Sequence, residues 1–362
     1  AEDPPPRPRL VHRQQRGPVE LELIFHRKEG ISLKHRLMFT GKKLIRMVLL
    51  LLGVSLAAFL LMSASPLDPL QTNVGQAALG TMSQEQIAKL EEYWGVNTPP
   101  VERYLGWLGD FVRGDMGTSL LYRQPVSQVI GQRLQSSLWL MAFAWVISGV
   151  LGLTLGVIAG ANRGKLVDKL IRGYCWLISS TPAFWLALVL LVIFSVWLGL
   201  FPIGLSVPIG ADAASVTLAD RLYHAFLPAL TLSITGVANI AMHTREKMAD
   251  IMESDYVLFA RARGESKSSI VLRHGLRNVA LPAITLQFAS ISEIFGGSVL
   301  VEQVFSYPGL GQAAVNAGLG SDLPLLLGIT VVSAAIVFGG NLIADLLYGV
   351  VDPKIRRGVA RK

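Results

Sequence analysis

The segment DYVLFARARGESKSSIVLRHGLRNVALP, residues 255–282, places a charged stretch between two long apolar runs. Residues 245–281 hold seven Lys or Arg, and each would cost about 2.5 kcal/mol or more at the centre of a bilayer. The segment therefore stays on one side of a membrane. Apolar residues recur among its charges, a pattern typical of short amphipathic helices, here interrupted at Gly264. A solvated connection without a partner is the alternative that the pattern leaves open.

The composition as a whole indicates an integral membrane protein. Hydrophobic residues make up 51% of the 362 residues, charged residues 16%, and the mean hydropathy is +0.47, which is too apolar for a soluble domain. Because about 20 helical residues cross a hydrocarbon core, six runs are predicted to span. They are Leu44–Met62, Ser137–Ala159, Tyr174–Leu200, Ala225–His243, Leu281–Val301 and Leu323–Val350. We predict an all-α membrane protein with six transmembrane helices.

The distribution of basic residues predicts the orientation. With six spans both termini lie on one side, and the segments of that side hold 25 Lys or Arg against 6 on the other. Since cytoplasmic loops carry the excess of Lys and Arg, both termini are predicted to be cytoplasmic. This placement accounts for the formal net charge of +8 without a nucleic-acid partner.

The spans divide the chain into segments with different predicted roles. They are a basic, partly disordered cytoplasmic extension (1–43), the first helix (44–63), a small helical periplasmic loop domain (64–136), a membrane core (137–350) with a cytoplasmic loop (244–281), and a cytoplasmic tail (351–362). In the periplasmic loop, Ser83 and Gln86 resemble a capping box that begins a helix. An apolar stripe at helical spacing predicts a second helix, formed by Val101, Tyr104, Leu105, Leu108, Phe111 and Val112.

Small residues predict close helix packing. Gly152, Gly156 and Gly160 repeat every four residues in the second span, a spacing that lets another backbone approach closely. Ala335 and Gly339 predict the same in the sixth span.

Several catalytic signatures are missing from the sequence. There is no G-x-x-x-x-G-K-[ST] phosphate loop, no H-E-x-x-H, no G-x-S-x-G and no pair of cysteines, since Cys175 is the single one. We therefore predict a non-catalytic chain with no metal site and no cofactor of its own. If ATP drives its activity, ATP and magnesium bind to partner chains.

Two carboxylates fall inside predicted spans, where a charge is costly unless it faces protein or water. Glu293 lies midway along the fifth span, just before Gly296 and Gly297, and Asp345 lies near the inner end of the sixth. We predict that Glu293, Gly296 and Gly297 line a translocation pathway. A buried Glu293 hydrogen-bonded to a neighbouring helix is the open alternative, and Asp345 is predicted to be structural.

Four motifs resemble those of one family in their order along the chain. The charged segment, with DYVLFARARG followed by HGLRN and ALP, is similar to the cytoplasmic signature loop of ABC-importer permeases of the peptide/nickel branch. Leu258 replaces the family's glutamate, and the gap after Gly264 is longer than in the general pattern, as is usual for this branch. The other motifs are WGVNTPPVERYLGWLGDFVRGDMGTSL (94–120), VEQVFSYPGLGQ (301–312) and DLLYGVVDPKIRR (345–357). The match is closest to B-type permeases, apart from the extension 1–43.

The resemblance implies a transmembrane permease subunit in a bacterial inner membrane. Its expected partners are a second, C-type permease as a heterodimer, two ABC ATPase subunits, and a periplasmic or lipid-anchored solute-binding protein. The expected coupling helix docks in an ATPase cleft through Asp255, Tyr256, Ala260, Arg261, Ala262, Arg263 and Gly264. Positive φ at Gly264 would allow the turn after it. Peptide, nickel and other small solutes carried by the same branch remain open as cargo.

Two other classes of protein are weaker alternatives. A stand-alone channel or ion-coupled carrier could use Glu293 as its ion site, but it leaves the signature loop unexplained and lacks paired broken helices. An intramembrane hydrolase lacks nucleophile motifs.

Overall fold

The computed structural model describes residues 41, 43–65, 69–93, 98–208, 210 and 216–351. The chain forms two compact units, one ending at Leu52 and the other beginning at Gly53. Regular structure in these described residues is helical, apart from an isolated bridge between Thr118 and Pro125. This confirms the all-α prediction. The predictions for residues 1–40, and for the tail beyond Val351, lie outside the described residues.

Fourteen helices are described and are numbered here in chain order. They are α1 (Lys43–Ser63), α2 (Pro69–Val74), α3 (Gln76–Leu79), α4 (Gln84–Tyr93), α5 (Pro100–Val112), α6 (Val126–Ala161), α7 (Leu166–Ser179), α8 (Ala183–Trp197), α9 (Leu218–Met252), α10 (Asp255–Ala262), α11 (Lys267–Ala289), α12 (Ile291–Val304), α13 (Leu310–Leu319) and α14 (Leu323–Val351).

Four helices are long and apolar enough to cross a membrane, namely α1, α6, α9 and α14. Two further candidates are bent pairs: α7 and α8 meet at 107°, and α11 and α12 meet at 49°. The described residues therefore contain four spans, or six if each bent pair counts as one, and the expectation from the sequence that broken helices are lacking is wrong. The predicted single third helix is broken because Pro182 precedes α8 with extended backbone, and a proline disfavours helical geometry in the residue before it.

The long helices extend well beyond their apolar runs. α6 begins eleven residues before the predicted Ser137, and α9 continues to Met252 instead of ending near His243. Hydropathy detects the part of a helix that lipid can cover, whereas backbone hydrogen bonding continues through polar residues. The predicted loop 244–281 is consequently shorter in the structure, because α11 already begins at Lys267.

The core of the second unit is built around the contact between α6 and α9. A side chain at Gly152 would overlap Ile240, one at Gly156 would meet Thr244 and the Ala241 carbonyl, and one at Gly160 would meet Met248 and the Arg245 carbonyl. The predicted close packing of α6 is thus confirmed. No described atom of this chain lies within 4 Å of a Cβ built at Gly339, so the close contact permitted there stays a prediction, and Gly340 packs against Ile291.

The segment between α1 and α6 contains the two predicted helices. Ser83 N–H donates to Gln86 Oε1 at 2.9 Å and Gln86 N–H donates to Ser83 Oγ at 3.2 Å, which confirms the capping box at α4. Half of the predicted stripe on α5 is exposed, namely Val101, Leu105 and Val112. Another member, Tyr104, is partly buried, hydrogen-bonds Ser55 and packs against Phe59.

Candidate functional site

Helix α10 is anchored by one face. Val257 and Ala260, three residues apart, are buried in a hydrophobic cluster with residues from α9 and α11. The other buried members are Met248, Ile251, Met252, Ile270 and Val279, and partly buried Leu153, Val157, Ala161 and Val271 pack against them. α10 is therefore packed against the adjoining parts of α9 and α11, and residues of α6 pack against the same cluster.

The opposite face of α10 presents large apolar side chains. Tyr256 is 46% exposed, Leu258 53% and Phe259 66%. Asp255, Arg261, Ala262 and Arg263 are exposed around them. Exposed aromatic and aliphatic groups rimmed by charge are typical of a surface that binds another protein. We call Tyr256, Leu258 and Phe259 the docking face.

The docking face differs in part from the residues expected from sequence. Ala260 lies in the hydrophobic cluster and holds α10 in place instead of facing outward. Leu258 and Phe259 are exposed but were not among the residues expected from the sequence. Val257 and Ala260 are at the i, i+3 spacing of one helical face, so the bulky residues between them point away. Leu258 occupies the position where the family pattern has a glutamate.

Gly264 lies two residues after the end of α10 and has a φ of 82°. Its N–H donates to the Arg261 carbonyl at 2.9 Å, and the Glu265 N–H donates to the Ala260 carbonyl at 3.1 Å. No described atom lies within 4 Å of a Cβ built at Gly264. Glycine is therefore required there for backbone conformation, since other L-residues rarely adopt positive φ.

The helix that follows α10 has an irregular first part. Ser266 accepts a hydrogen bond from the Ser269 N–H and begins α11. A π-helical turn follows at Val271–Gly275, and a Cβ at Gly275 would overlap the Met248 side chain. The wide turn and the missing side chain allow α11 to lie directly against α9. Such turns recur at functional positions in helices.

A buried amide holds α11 against α6 just before the bend. Gln287 donates to the Trp145 carbonyl and to Ser148 Oγ, and Trp145 Nε1 donates to the Gln287 carbonyl at 2.8 Å. Ser290, at the bend, donates back to the Gln287 carbonyl at 2.8 Å. The Gln287 carbonyl, beside the bend, therefore accepts bonds from both the Trp145 indole and the Ser290 hydroxyl.

The predicted pathway residues lie at the start of α12, directly after the bend. Glu293 and Gly296 are exposed in this chain, three residues apart on one face. Gly297, four residues after Glu293, is partly buried, and a Cβ there would come within 3.1 Å of Leu232. Beside Glu293, Ser292 Oγ donates to Asn341 Oδ1 of α14 at 2.8 Å. The side chain of Asp345 lies outside the described residues.

Two buried carboxylates near the opposite end of the helices were not found from the sequence. Glu302 accepts hydrogen bonds from Ser137 Oγ at 2.7 Å and from the Gln312 N–H at 3.0 Å. Asp322 accepts bonds from Ser119 and from the Leu121 and Leu325 N–H groups. Both are fully buried and join separate segments, so their role is structural. Glu302 belongs to the VEQVFSYPGLGQ motif, which was the available signal.

A cavity of about 390 Å³ lies between α6, α12, α13 and α14. Its lining is largely apolar, with the hydroxyls of Ser137, Ser298, Thr330 and Ser333 among the lining residues. Among the described residues no group of three His, Cys, Asp or Glu side chains could hold a metal ion.

Comparison with known proteins identifies the class. The family of binding-protein-dependent transport system inner membrane components matches residues 152–357, a range that includes α10, the bend at Ser290 and α12. The chain belongs to this family. It is a transmembrane permease subunit of an ABC importer.

Individual relatives are similar in sequence over most of the chain. The oligopeptide transport system permease protein AppB of Bacillus subtilis is 37% identical over 309 residues, covering 84% of this chain and 95% of AppB. A putative peptide permease protein of Brucella suis is 35% identical over 85% of this chain and 95% of its own length. An inward-facing methionine transporter structure, MetNI, is 15% identical, with a TM-score of 0.51 over 62% of this chain and 97% of the other, and shows the fold alone.

Proposed function

We propose that this chain forms half of the translocation pathway of an ATP-driven peptide importer and is coupled to ATPase subunits through α10. The observation that carries the proposal is the docking face: Tyr256, Leu258 and Phe259 are exposed on a helix that Val257 and Ala260 hold against α9 and α11. A partner that moves α10 must move the ends of those helices with it.

Peptide is the proposed cargo because the relatives that match most of the chain are named as peptide or oligopeptide permeases. The proposed assembly contains a second permease of the C type, two ATPase subunits that hold ATP and magnesium, and a solute-binding protein. The chain itself is proposed to be non-catalytic.

The proposed orientation places α10 and both termini in the cytoplasm of a bacterial inner membrane. The excess of Lys and Arg on the α10 side supports it. ATPase subunits bind ATP in the cytoplasm, so the docking face has to lie on that side.

The proposed pathway runs past Glu293 and Gly296. An exposed carboxylate within a bent span is costly in lipid, which favours a position facing water or the second permease. The bend at Ser290 directs α12 away from the line of α11 and supports this location.

The test is co-expression with the ATPase subunits, followed by affinity capture and by peptide uptake in vesicles. Changing Phe259→Ala and Leu258→Ala together is expected to abolish capture of the ATPases and ATP-driven uptake. Leu166→Ala is the matched control, because Leu166 is 71% exposed on α7 and lies outside the docking face. Normal capture by the double variant, or peptide uptake by this chain alone without ATP, would refute the proposal.

A further inference from the structure

The turn between α6 and α7, residues 162–165, is bonded to both sides of the α10 segment. Asn162 Oδ1 accepts a hydrogen bond from Lys267 Nζ at 2.6 Å, and Lys267 opens α11. Arg163 Nη1 lies 3.0 Å from Glu253 Oε1, and Glu253 directly follows α9. The residues that precede and follow α10 are therefore joined to one short turn.

A buried ion pair fixes this turn to α9. Arg245 of α9 donates to both oxygens of Asp168, through Nε to Oδ1 and through Nη2 to Oδ2 at 2.8 Å. Asp168 Oδ2 also accepts the Gly164 N–H at 2.8 Å, and the Asp168 side chain is 1% exposed. A two-point guanidinium–carboxylate pair fixes orientation as well as distance.

Next to this turn, α6 and α9 are closely packed. Gly160 lies against the Arg245 carbonyl and Met248, and Ala161 packs against the cluster that contains Val257 and Ala260. The end of α6 is consequently in contact with α9 and with the cluster in which Val257 and Ala260 of α10 are buried. Tightly packed contacts of this kind shift as a unit instead of deforming.

We propose that Asn162, Arg163, Gly164 and Asp168 form a brace, which joins α10 and the adjoining ends of α9 and α11 to α6 and α7 as one rigid body. Movement of α10 by a docked ATPase is thereby passed to α6 and α7 as well as to its two neighbours in the chain. The inference rests on the proposed function, because it needs α10 to be the part that the ATPase moves.

The bonds of the brace differ in how much each one contributes to holding the helices together. Arg163 and Glu253 are more than half exposed, and exposed pairs contribute little individually. Asp168 and Arg245 are buried and share two hydrogen bonds, so they are the principal positioning residues. The docking face contains none of the brace residues, which allows docking and transmission to be tested separately.

The first test uses Asp168→Asn in the assembled complex in vesicles, with Lys169→Gln, an exposed neighbour, as the control. Capture of the ATPases and their basal ATP hydrolysis should be unchanged. Hydrolysis stimulated by peptide-loaded binding protein, and peptide uptake, should each fall about tenfold. A merely structural role would lower the amount of complex but not its stimulated hydrolysis per complex. Unchanged stimulation and uptake in a folded Asp168→Asn complex would overturn the brace.

If Asp168→Asn does not fold, Asn162→Ala combined with Arg163→Ala replaces it. This double variant removes the bonds to Lys267 and to Glu253 at once, so a loss of stimulated hydrolysis of about threefold is expected, and unchanged stimulation would overturn the proposal. The second test joins Arg163→Cys to Glu253→Cys with a short bis-maleimide, in a Cys175→Ser background. Because the brace is rigid, the cross-linked complex should keep its uptake, and a block by the cross-link would overturn the proposal. Failure of the docking-face variants to affect capture would instead refute the proposed function.

Discussion

Ser137 of α6 donates a 2.7 Å hydrogen bond to the Glu302 carboxylate of α12, and the same hydroxyl accepts the Leu310 N–H at 2.7 Å. One buried serine therefore joins the sixth and twelfth helices to the first residue of α13. The Gln312 N–H provides a further donor to Glu302. This arrangement pairs a carboxylate and a helix N-terminus that would both be costly to bury alone.

Ser137→Ala is expected to lower the free energy of unfolding by about 1–3 kcal/mol, because it leaves the Leu310 N–H without its acceptor and removes a donor to Glu302. Thermal unfolding in detergent measures the effect. Ser136→Ala is the control, since the Ser136 hydroxyl donates within its own helix to the Gln132 carbonyl. Equal melting temperatures for the two variants would contradict the assigned role.

Gly156→Ala tests the contact between α6 and α9. A methyl group there would overlap Thr244 and the Ala241 carbonyl, so we expect a loss of about 1–3 kcal/mol from overpacking, despite the gain in helix propensity. Gly131→Ala is the matched control, because Gly131 lies on the same helix with no described atom near its Cβ position and should be slightly stabilised. Unfolding in detergent compares the two, and the contact is not needed if both variants gain stability.

Gly264→Val tests the turn after α10. Valine at a φ of 82° is strained, since β-branched residues avoid this region, whereas asparagine tolerates it. ATP-driven peptide uptake should be lost in Gly264→Val and largely retained in Gly264→Asn, while both chains remain in the membrane. Equal uptake in the two variants would show that the turn does not depend on positive φ.

Glu293→Gln tests the pathway. Because the side chain is exposed in this chain, the change should leave the unfolding temperature and ATPase capture unaltered while lowering the maximal rate of peptide uptake. Glu246→Gln, an exposed carboxylate on α9, is the control and should transport normally. Full uptake by Glu293→Gln would remove this residue from the proposed pathway.

The sequence predicted local features well. The capping box at Ser83, the glycine spacing of α6 and the positive φ of Gly264 follow from short-range chemistry, and the structure has all three. It predicted helix ends poorly, because hydropathy follows lipid exposure and does not detect polar helical turns. It also assigned Ala260 to a docking surface, since no pattern in one short helix states which neighbours cover a small side chain.

By itself the amino-acid sequence determines that this chain is an all-helical membrane protein with a charged segment kept out of the bilayer, because transfer energies and helix length depend on local composition. The pairing of Asp168 with Arg245, and of Ser137 with Glu302, depends on tertiary structure. These partners lie 77 and 165 residues apart, and only the packing of α7 against α9, and of α6 against α12, brings them together. Packing against α9 and α11 buries one face of α10 and leaves the docking face exposed.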